Sequence, residues 1–156
     1  MKIYYVLARL ISPLFLFAIR LMTRVSRPRV RVMVCNLHKE VLLVRSVFGT
    51  GEWELPGGGA GYKESYTAAA ARELAEEAAV FVSPAQLKKT TQLQLPYPMI
   101  IFSYTLQNSG KQAKIRHPFE IKALGWFSID NLPAETALYV REIIRGRPDN
   151  TDGLMP

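Results

Sequence analysis

Residues 55–80 read LPGGGAGYKESYTAAAARELAEEAAV, a glycine-rich loop running directly into a segment of Ala, Glu and Leu. Ala, Glu and Leu are strong helix formers, so the composition predicts a helix over 65–78, with Ser65 or Thr67 as its cap. Both flanks of this unit are β-rich. RVRVMVCN (29–36) and VLLVRSV (41–47) are alternating β-branched runs separated by LHKE, the pattern of a hairpin. GTGEWELPGGG reads as a Gly-rich loop around a short strand. KTTQLQL (89–95), MIIFSYTL (99–106) and IKALGWFS (121–128) predict three further strands, and ETALYVREIIRG (135–146) a closing helix stopped by Gly146 and Pro148. Strands on both sides of a helix point to an α/β domain.

The helix carries an electrostatic anomaly. Glu73, Glu76 and Glu77 lie at i, i+3 and i+4, one face of one turn, where like charges cost a few tenths of a kcal/mol per pair. An acidic solvated face is a common and bland explanation. The preceding glycines argue for another, because bare backbone lets a phosphate approach closely. Clustered carboxylate oxygens suit hard divalent cations such as Mg²⁺ or Mn²⁺. A zinc site of the usual kind is excluded by one cysteine, Cys35, and two histidines, His38 and His117. Cys35 sits in an apolar run and reads as a buried structural thiol; with no second cysteine, no intramolecular disulfide can form, which suggests a reducing compartment.

The net charge of +7 over 156 residues is unevenly placed. Lys2, Arg9, Arg20, Arg24, Arg27, Arg29 and Arg31 supply it all before residue 32, with no acid among them, whereas the remainder is neutral. On a helical wheel Lys2, Arg9, Arg20, Arg24 and Arg27 fall within about 60° of one another, opposite a wide apolar face. Residues 1–27 therefore predict a basic amphipathic helix, kinked or split at Pro13. An interfacial helix on an anionic membrane surface fits this stripe. Packing on its own domain, or a homodimer contact through residues 1–24, is the alternative. A spanning helix needs about 20 apolar residues, and the run free of charge between Arg9 and Arg20 is too short. No A-x-A-like cleavage site precedes Arg24. The neutral body offers no extended basic groove, which disfavours nucleic acid without eliminating it.

Gly58, five residues, Glu64, seven residues, then Arg72-Glu73-Leu74-x-Glu76-Glu77-x-Ala79-Val80 resembles the Nudix box. Eight of the nine specified positions across its 23 residues are filled as in the family. VLLVRS, WELPGGG and EIKALGWFSIDNLP resemble the segments that flank it, over roughly residues 30–146. The departure is Ala79, where the family has glycine just past the helix. An alanine forced into the left-handed region there costs about 1–2 kcal/mol.

The resemblance implies an α/β/α sandwich with a mixed β-sheet over residues 28–147, with the N-terminal helix before it and a loose tail over 148–156. It implies hydrolysis of a nucleoside diphosphate linked to another group, with Mg²⁺, or alternatively Mn²⁺, as cofactor. Glu73, Glu76 and Glu77 match the family's metal ligands, and Glu120 matches a late acidic residue that relatives bring to the metal site. Arg72 would pair with and position the glutamates, through Glu64. Gly57, Gly58 and Gly59 would shape the phosphate loop. Glu73 or Glu120 would act as the base, with His117 a weaker option since RHPFE reads equally as a turn. Trp126 reads as core, whereas Phe48, Trp53, Tyr62 and Tyr97 are placed by loop context to meet a nucleobase.

Substrate cues conflict. Pro96, 16 residues after Val80, matches a mark of ADP-ribose hydrolases, and Tyr97, 17 after, a mark of dinucleoside polyphosphate hydrolases. The expectation is ADP-ribose or a nucleotide-sugar. Dinucleoside polyphosphates, RNA 5′-pyrophosphates and a non-hydrolytic nucleotide-sensing role stay open. The expected location is the cytoplasm, extending to the periphery of a membrane.

Overall fold

The computed structural model describes residues 28–94, 97–107 and 113–146. The amphipathic helix expected over 1–27, Pro96 and the tail over 148–156 lie outside the described residues. Five strands form one mixed sheet: β1 (Arg29–Cys35), β2 (Glu40–Ser46), β3 (Lys88–Leu93), β4 (Met99–Thr105) and β5 (Ile121–Ser128). Their order across the sheet is β3-β4-β1-β2-β5. β1 runs parallel to β4 with unbroken register from Arg29↔Met99 to Cys35↔Thr105, and the other ladders are antiparallel.

Period-two alternation along β1 and β4 divides their side chains between two faces. Val30, Val32, Val34, Ile100 and Phe102 meet α1 (Tyr66–Ala78) on one face. Met33, Cys35, Met99 and Ile101 meet Ala137 and Val140 on the other, at the start of α2 (Leu138–Arg145). Helices on opposite faces make the expected α/β/α layering. α1 presents Ala69, Ala70, Leu74 and Ala78 to the sheet, small residues that let the helix lie close while its acidic face turns toward the loop before it. Trp126 packs against the α1-side core, as expected from its run, and Cys35 is a buried thiol outside any disulfide.

The hairpin between β1 and β2 closes at Asn36, whose Oδ1 accepts from the backbone N–H of His38 and Glu40 (2.9 and 3.0 Å). The two strands pair only near that turn, at Cys35↔Val41. Upstream they part, and the glycine loop takes the vacated edge of β1: Val30 N–H donates to Gly58 O (2.9 Å) and Val32 N–H to Pro56 O (2.8 Å). A backbone docked on a strand in this way is held by strand-type hydrogen bonds, an unusual state for a loop.

The closing helix starts three residues later than the composition predicts. Residues 135–137 form a strand-like bridge with Trp53, which donates to Glu135 O (2.8 Å) and accepts from Ala137 N–H (3.0 Å). That pairing commits them to extended backbone and leaves Leu138 to begin the helix. No helix among the described residues is long and apolar enough to cross a membrane.

Candidate active site

Ser65 opens α1, its Oγ accepting from Ala68 N–H (3.2 Å). The helix ends at Ala79 in the left-handed region, φ 54° and ψ 27°, and Val80 N–H reaches back to Leu74 O (3.4 Å). An alanine here holds the left-handed conformation that a glycine adopts without strain. The exit geometry expected of the motif is therefore kept despite the substitution.

Arg72 ties the acidic face together. Its Nε and Nη2 donate to Glu64 Oε1 and Oε2 (2.9 and 3.1 Å). Its Nη1 lies between Glu73 Oε1 and Glu76 Oε2, 2.9 Å from each. Nη2 also donates to Gly59 O (3.0 Å), fastening the helix to the loop. The hydrogen bond from Arg72 to Glu64 heads the causes that raise the guanidinium's pKa well above its ordinary value, with Glu73 adding to it and burial opposing. Glu64 in turn accepts from Gly61 N–H (2.6 Å).

The three glutamates do not converge on one point, as their spacing alone suggests. Glu73 and Glu76 share the Arg72 guanidinium, whereas Glu77 turns inward and its Oε2 accepts from Gly57 N–H (2.8 Å). Burial pushes the Glu77 carboxyl up to about 7. The Gly57 amide and the charge of Arg31 oppose that shift, and the charges of Glu73 and Glu120 add to it. The Glu73 side chain is 12% exposed and that of Glu76 41%, so the pair runs from the interior to solvent. Among the described residues no three His, Cys, Asp or Glu side chains form a ready metal cage.

The glycines are placed by contact. Gly57 has φ 141°, and a Cβ there would stand 2.2 Å from Val30 O. A Cβ on Gly58 would stand 2.6 Å from the Glu73 carboxyl carbon. The bare Cα of Gly58 is thus the bed on which that carboxylate lies.

A divalent cation fits this donor set. Nη1 of Arg72 stands in for a small cation between Glu73 and Glu76, and the surrounding donors are hard carboxylate oxygens, the type that Mg²⁺ and Mn²⁺ take. Filling the site with metal requires Arg72 to yield Nη1 while keeping its grip on Glu64 through Nε and Nη2.

The remaining predicted residues divide. Glu120 is exposed on the approach to β5, its amide donating to His117 O (3.0 Å), and its charge reaches Glu77. His117 accepts from both Glu120 N–H and Ile121 N–H, so RHPFE is a turn. Phe48 and Tyr62 are 83% and 87% exposed, free to meet a ligand. Trp53 is committed elsewhere, edge-on to Phe127 with centroids 4.7 Å apart and under the Arg45 guanidinium. Tyr97 packs with the α2-side core beneath the Arg29 guanidinium (5.4 Å), and no described contact joins it to the glutamates. One residue that sequence reasoning passed over is Arg31, which donates to Leu55 O and Gly57 O (2.9 and 3.0 Å) from beneath the loop. Its signal was a lone charge at a core-facing position of an alternating strand.

Residues 25–145 match the NUDIX domain. The chain belongs to that family. Its fold is shared with a MutT Nudix hydrolase from Burkholderia pseudomallei, 21% identical over 79% of this chain and 100% of that one, TM-score 0.61. A MutT protein from Methanosarcina mazei Go1 is 22% identical over 77% and 93% of the two chains, TM-score 0.61. An Ap4A hydrolase from C. elegans, solved as a binary complex, is 18% identical over 75% and 92%, TM-score 0.62. With its box glutamates in place, this Nudix protein is an enzyme of the pyrophosphatase type acting on nucleotide derivatives, in a family that uses divalent metal ions.

Proposed function

We propose that the protein hydrolyses the pyrophosphate bond of a nucleoside diphosphate linked to a further group, ADP-ribose or a nucleotide-sugar, with Mg²⁺. The observation that carries this reading is the shared guanidinium. Glu73 and Glu76 already hold a cation between them, beside a glycine loop pinned on β1. A diphosphate and a glutamate cluster repel each other, so they meet only through positive charge. Glu73, Glu76, Glu77 and Glu120 would hold the metal. When bound, the ion neutralises the diphosphate and lowers the pKa of the attacking water.

The chain's own groups do the rest. Gly58 and Gly59 let the diphosphate lie against bare backbone. Arg72, through Glu64, keeps the carboxylates aimed. Glu73 or Glu120 accepts the proton of the water as its oxygen bonds to phosphorus and the bridging P–O bond breaks, releasing two phosphate-bearing products. Phe48 and Tyr62, exposed at loop positions, would flank the base. The cytoplasm suits the single reduced thiol, and residues 1–24 would add contact with an anionic membrane surface or a second copy of the chain.

The test is turnover with Mg²⁺ over a panel of ADP-ribose, nucleotide-sugars, diadenosine polyphosphates, NADH, nucleoside triphosphates and 5′-triphosphate RNA, with Glu76→Gln alongside. Turnover of ADP-ribose or a nucleotide-sugar, reduced by about 100-fold or more in the variant, is expected. Preference for RNA or for diadenosine polyphosphates would reassign the substrate. Silence across the panel with Mg²⁺ still bound would leave a nucleotide sensor as the better reading.

A further inference from the structure

Arg31 lies in the middle of β1 on the face toward α2, in the same alternation as Met33 and Cys35, which are core. It is itself buried. Removing a guanidinium from water costs several kcal/mol, and replacing a buried ion pair by apolar side chains of similar volume is often neutral or stabilising. Stability alone therefore does not account for this residue.

Its hydrogen bonds do. Nη1 donates to two carbonyls of the catalytic loop, Leu55 O at 2.9 Å and Gly57 O at 3.0 Å. Nη2 donates to Glu54 Oε2 at 2.8 Å, the residue that opens the same loop. A planar fork with fixed donor directions can hold three such acceptors at once, which an ammonium on a flexible stem cannot. From α2, the Tyr139 hydroxyl accepts from Leu55 N–H (3.2 Å). Burial pushes that phenol up to about 12, so it stays neutral. On the far side of the loop, Gly57 N–H donates to Glu77 (2.8 Å) and Gly58 beds the Glu73 carboxylate. A continuous path runs from α2 and β1, through the loop backbone, to two box glutamates.

We propose that Arg31 is a positioning residue of the hydrolytic site, acting through the Leu55 and Gly57 carbonyls to hold the loop where it aims Glu77 and Glu73, with Glu54 and Tyr139 as its supports. This rests on the metal-dependent reading above.

The experiment uses the full chain and compares Arg31→Met, Arg31→Lys, Glu54→Gln and Tyr139→Phe. Leu43→Ala, a core truncation on the same face of the sheet, serves as the stability control. Each protein is characterised by thermal melting, by Mn²⁺ affinity from electron paramagnetic resonance, and by kcat and KM on the substrate the panel identifies. Arg31→Met is expected to stay folded while Mn²⁺ affinity and kcat each fall about 10–100-fold, the range for losing a group that orients metal ligands, with KM moving less. Arg31→Lys should recover part of the loss. Glu54→Gln and Tyr139→Phe should give smaller losses of the same kind. Leu43→Ala should lower the melting temperature and leave Mn²⁺ affinity and kcat at wild-type values.

A folded Arg31→Met with wild-type Mn²⁺ affinity and kcat overturns the proposal. So does Leu43→Ala losing Mn²⁺ affinity as Arg31→Met does, since both effects would then be general loosening. If neither Arg31 variant folds, Tyr139→Phe and Glu54→Gln decide, and wild-type values in both overturn it. A wild-type protein that neither binds Mn²⁺ nor turns over any substrate overturns the site reading and this proposal with it; full activity in the variants overturns this proposal alone.

Discussion

A methyl group on Gly58 would stand 2.6 Å from the Glu73 carboxyl carbon, so one hydrogen at that position decides where a carboxylate proposed to hold the metal can rest. Gly58→Ala should leave the fold intact, because the obstructing atoms are the end of a flexible side chain, yet lower kcat by about 10–100-fold through a displacement of roughly 1 Å. Steady-state kinetics beside a circular dichroism spectrum checks this; a folded variant with wild-type kcat would show that Glu73 has a second productive position. Ala79 poses the reverse case. Its left-handed backbone costs about 1–2 kcal/mol, and glycine would relieve that while adding about 0.4–1 kcal/mol of chain entropy to the unfolded state. The net gain for Ala79→Gly is about 0.5–1 kcal/mol, a rise of a few degrees in melting temperature. Both effects were half-legible in the sequence. The motif's spacing marked Gly58 and Ala79 as special, but only contact distances reveal that the bare Cα of Gly58 makes room for the Glu73 carboxylate. Likewise the i, i+3, i+4 spacing put three carboxylates on one face, and could not show that Glu77 turns to the Gly57 amide while Arg72 claims the other two.

Among elements, helix α1 stands on few local supports. Its acidic turn is bridged by Arg72 between Glu73 and Glu76, but no acidic residue lies in its first turn and no basic residue in its last, so the macrodipole is uncompensated. The Ser65 cap, the Arg72 bridges and the apolar contact with the sheet carry it. Ser65→Ala should cost about 1 kcal/mol, read as a drop of a few degrees in melting temperature with kcat near wild type, since the cap lies at the opposite end from Glu76 and Glu77. A loss of activity as large as that of Gly58→Ala would show that the first turn shapes the site. Element types were legible because alternation and composition are local properties. Of the six strands the sequence placed, five form the sheet and the short one around Trp53 and Glu54 is reduced to isolated bridges. The helices over 65–78 and 135–146 are present, and the one over 1–27 lies outside the described residues. What escaped was pairing. Nothing local in ETA at 135–137 announces a bridge to Trp53, and nothing in VRV at 30–32 announces that its partner is a glycine loop instead of β2. Long-range choices of this kind are settled by which backbone groups are left unpaired after the sheet has assembled.

Across the whole molecule, the charge map changes once the fold is known. Of the seven cations before residue 32, Arg29 and Arg31 belong to β1, and Arg31 is neutralised by Glu54 in the interior. Lys2, Arg9, Arg20, Arg24 and Arg27 remain, the same five that share one arc of the wheel. The domain and the arm can therefore be separated by experiment. Deleting residues 1–27 should abolish co-sedimentation with vesicles containing anionic lipid and leave turnover of a soluble substrate within about twofold, as expected when an amphipathic helix supplies the membrane affinity. Vesicle binding that survives the deletion would discard the membrane reading of the arm.

The parallel pairing of β1 with β4 also bears on how the protein is made. The strand that carries Arg31 and supports the glycine loop finds its long partner only at Met99, seventy residues further along the chain. A nascent polypeptide that has emerged as far as Pro98 already owns the entire glutamate motif, but β1 then has only its short pairing with β2, the glycine loop and α1 to hold it. Contacts of such separation are slow to form and close late. Affinity for a divalent metal should consequently appear only once β4 has been made, together with the sheet, and a chain still short of that strand should neither bind metal nor turn over a nucleotide.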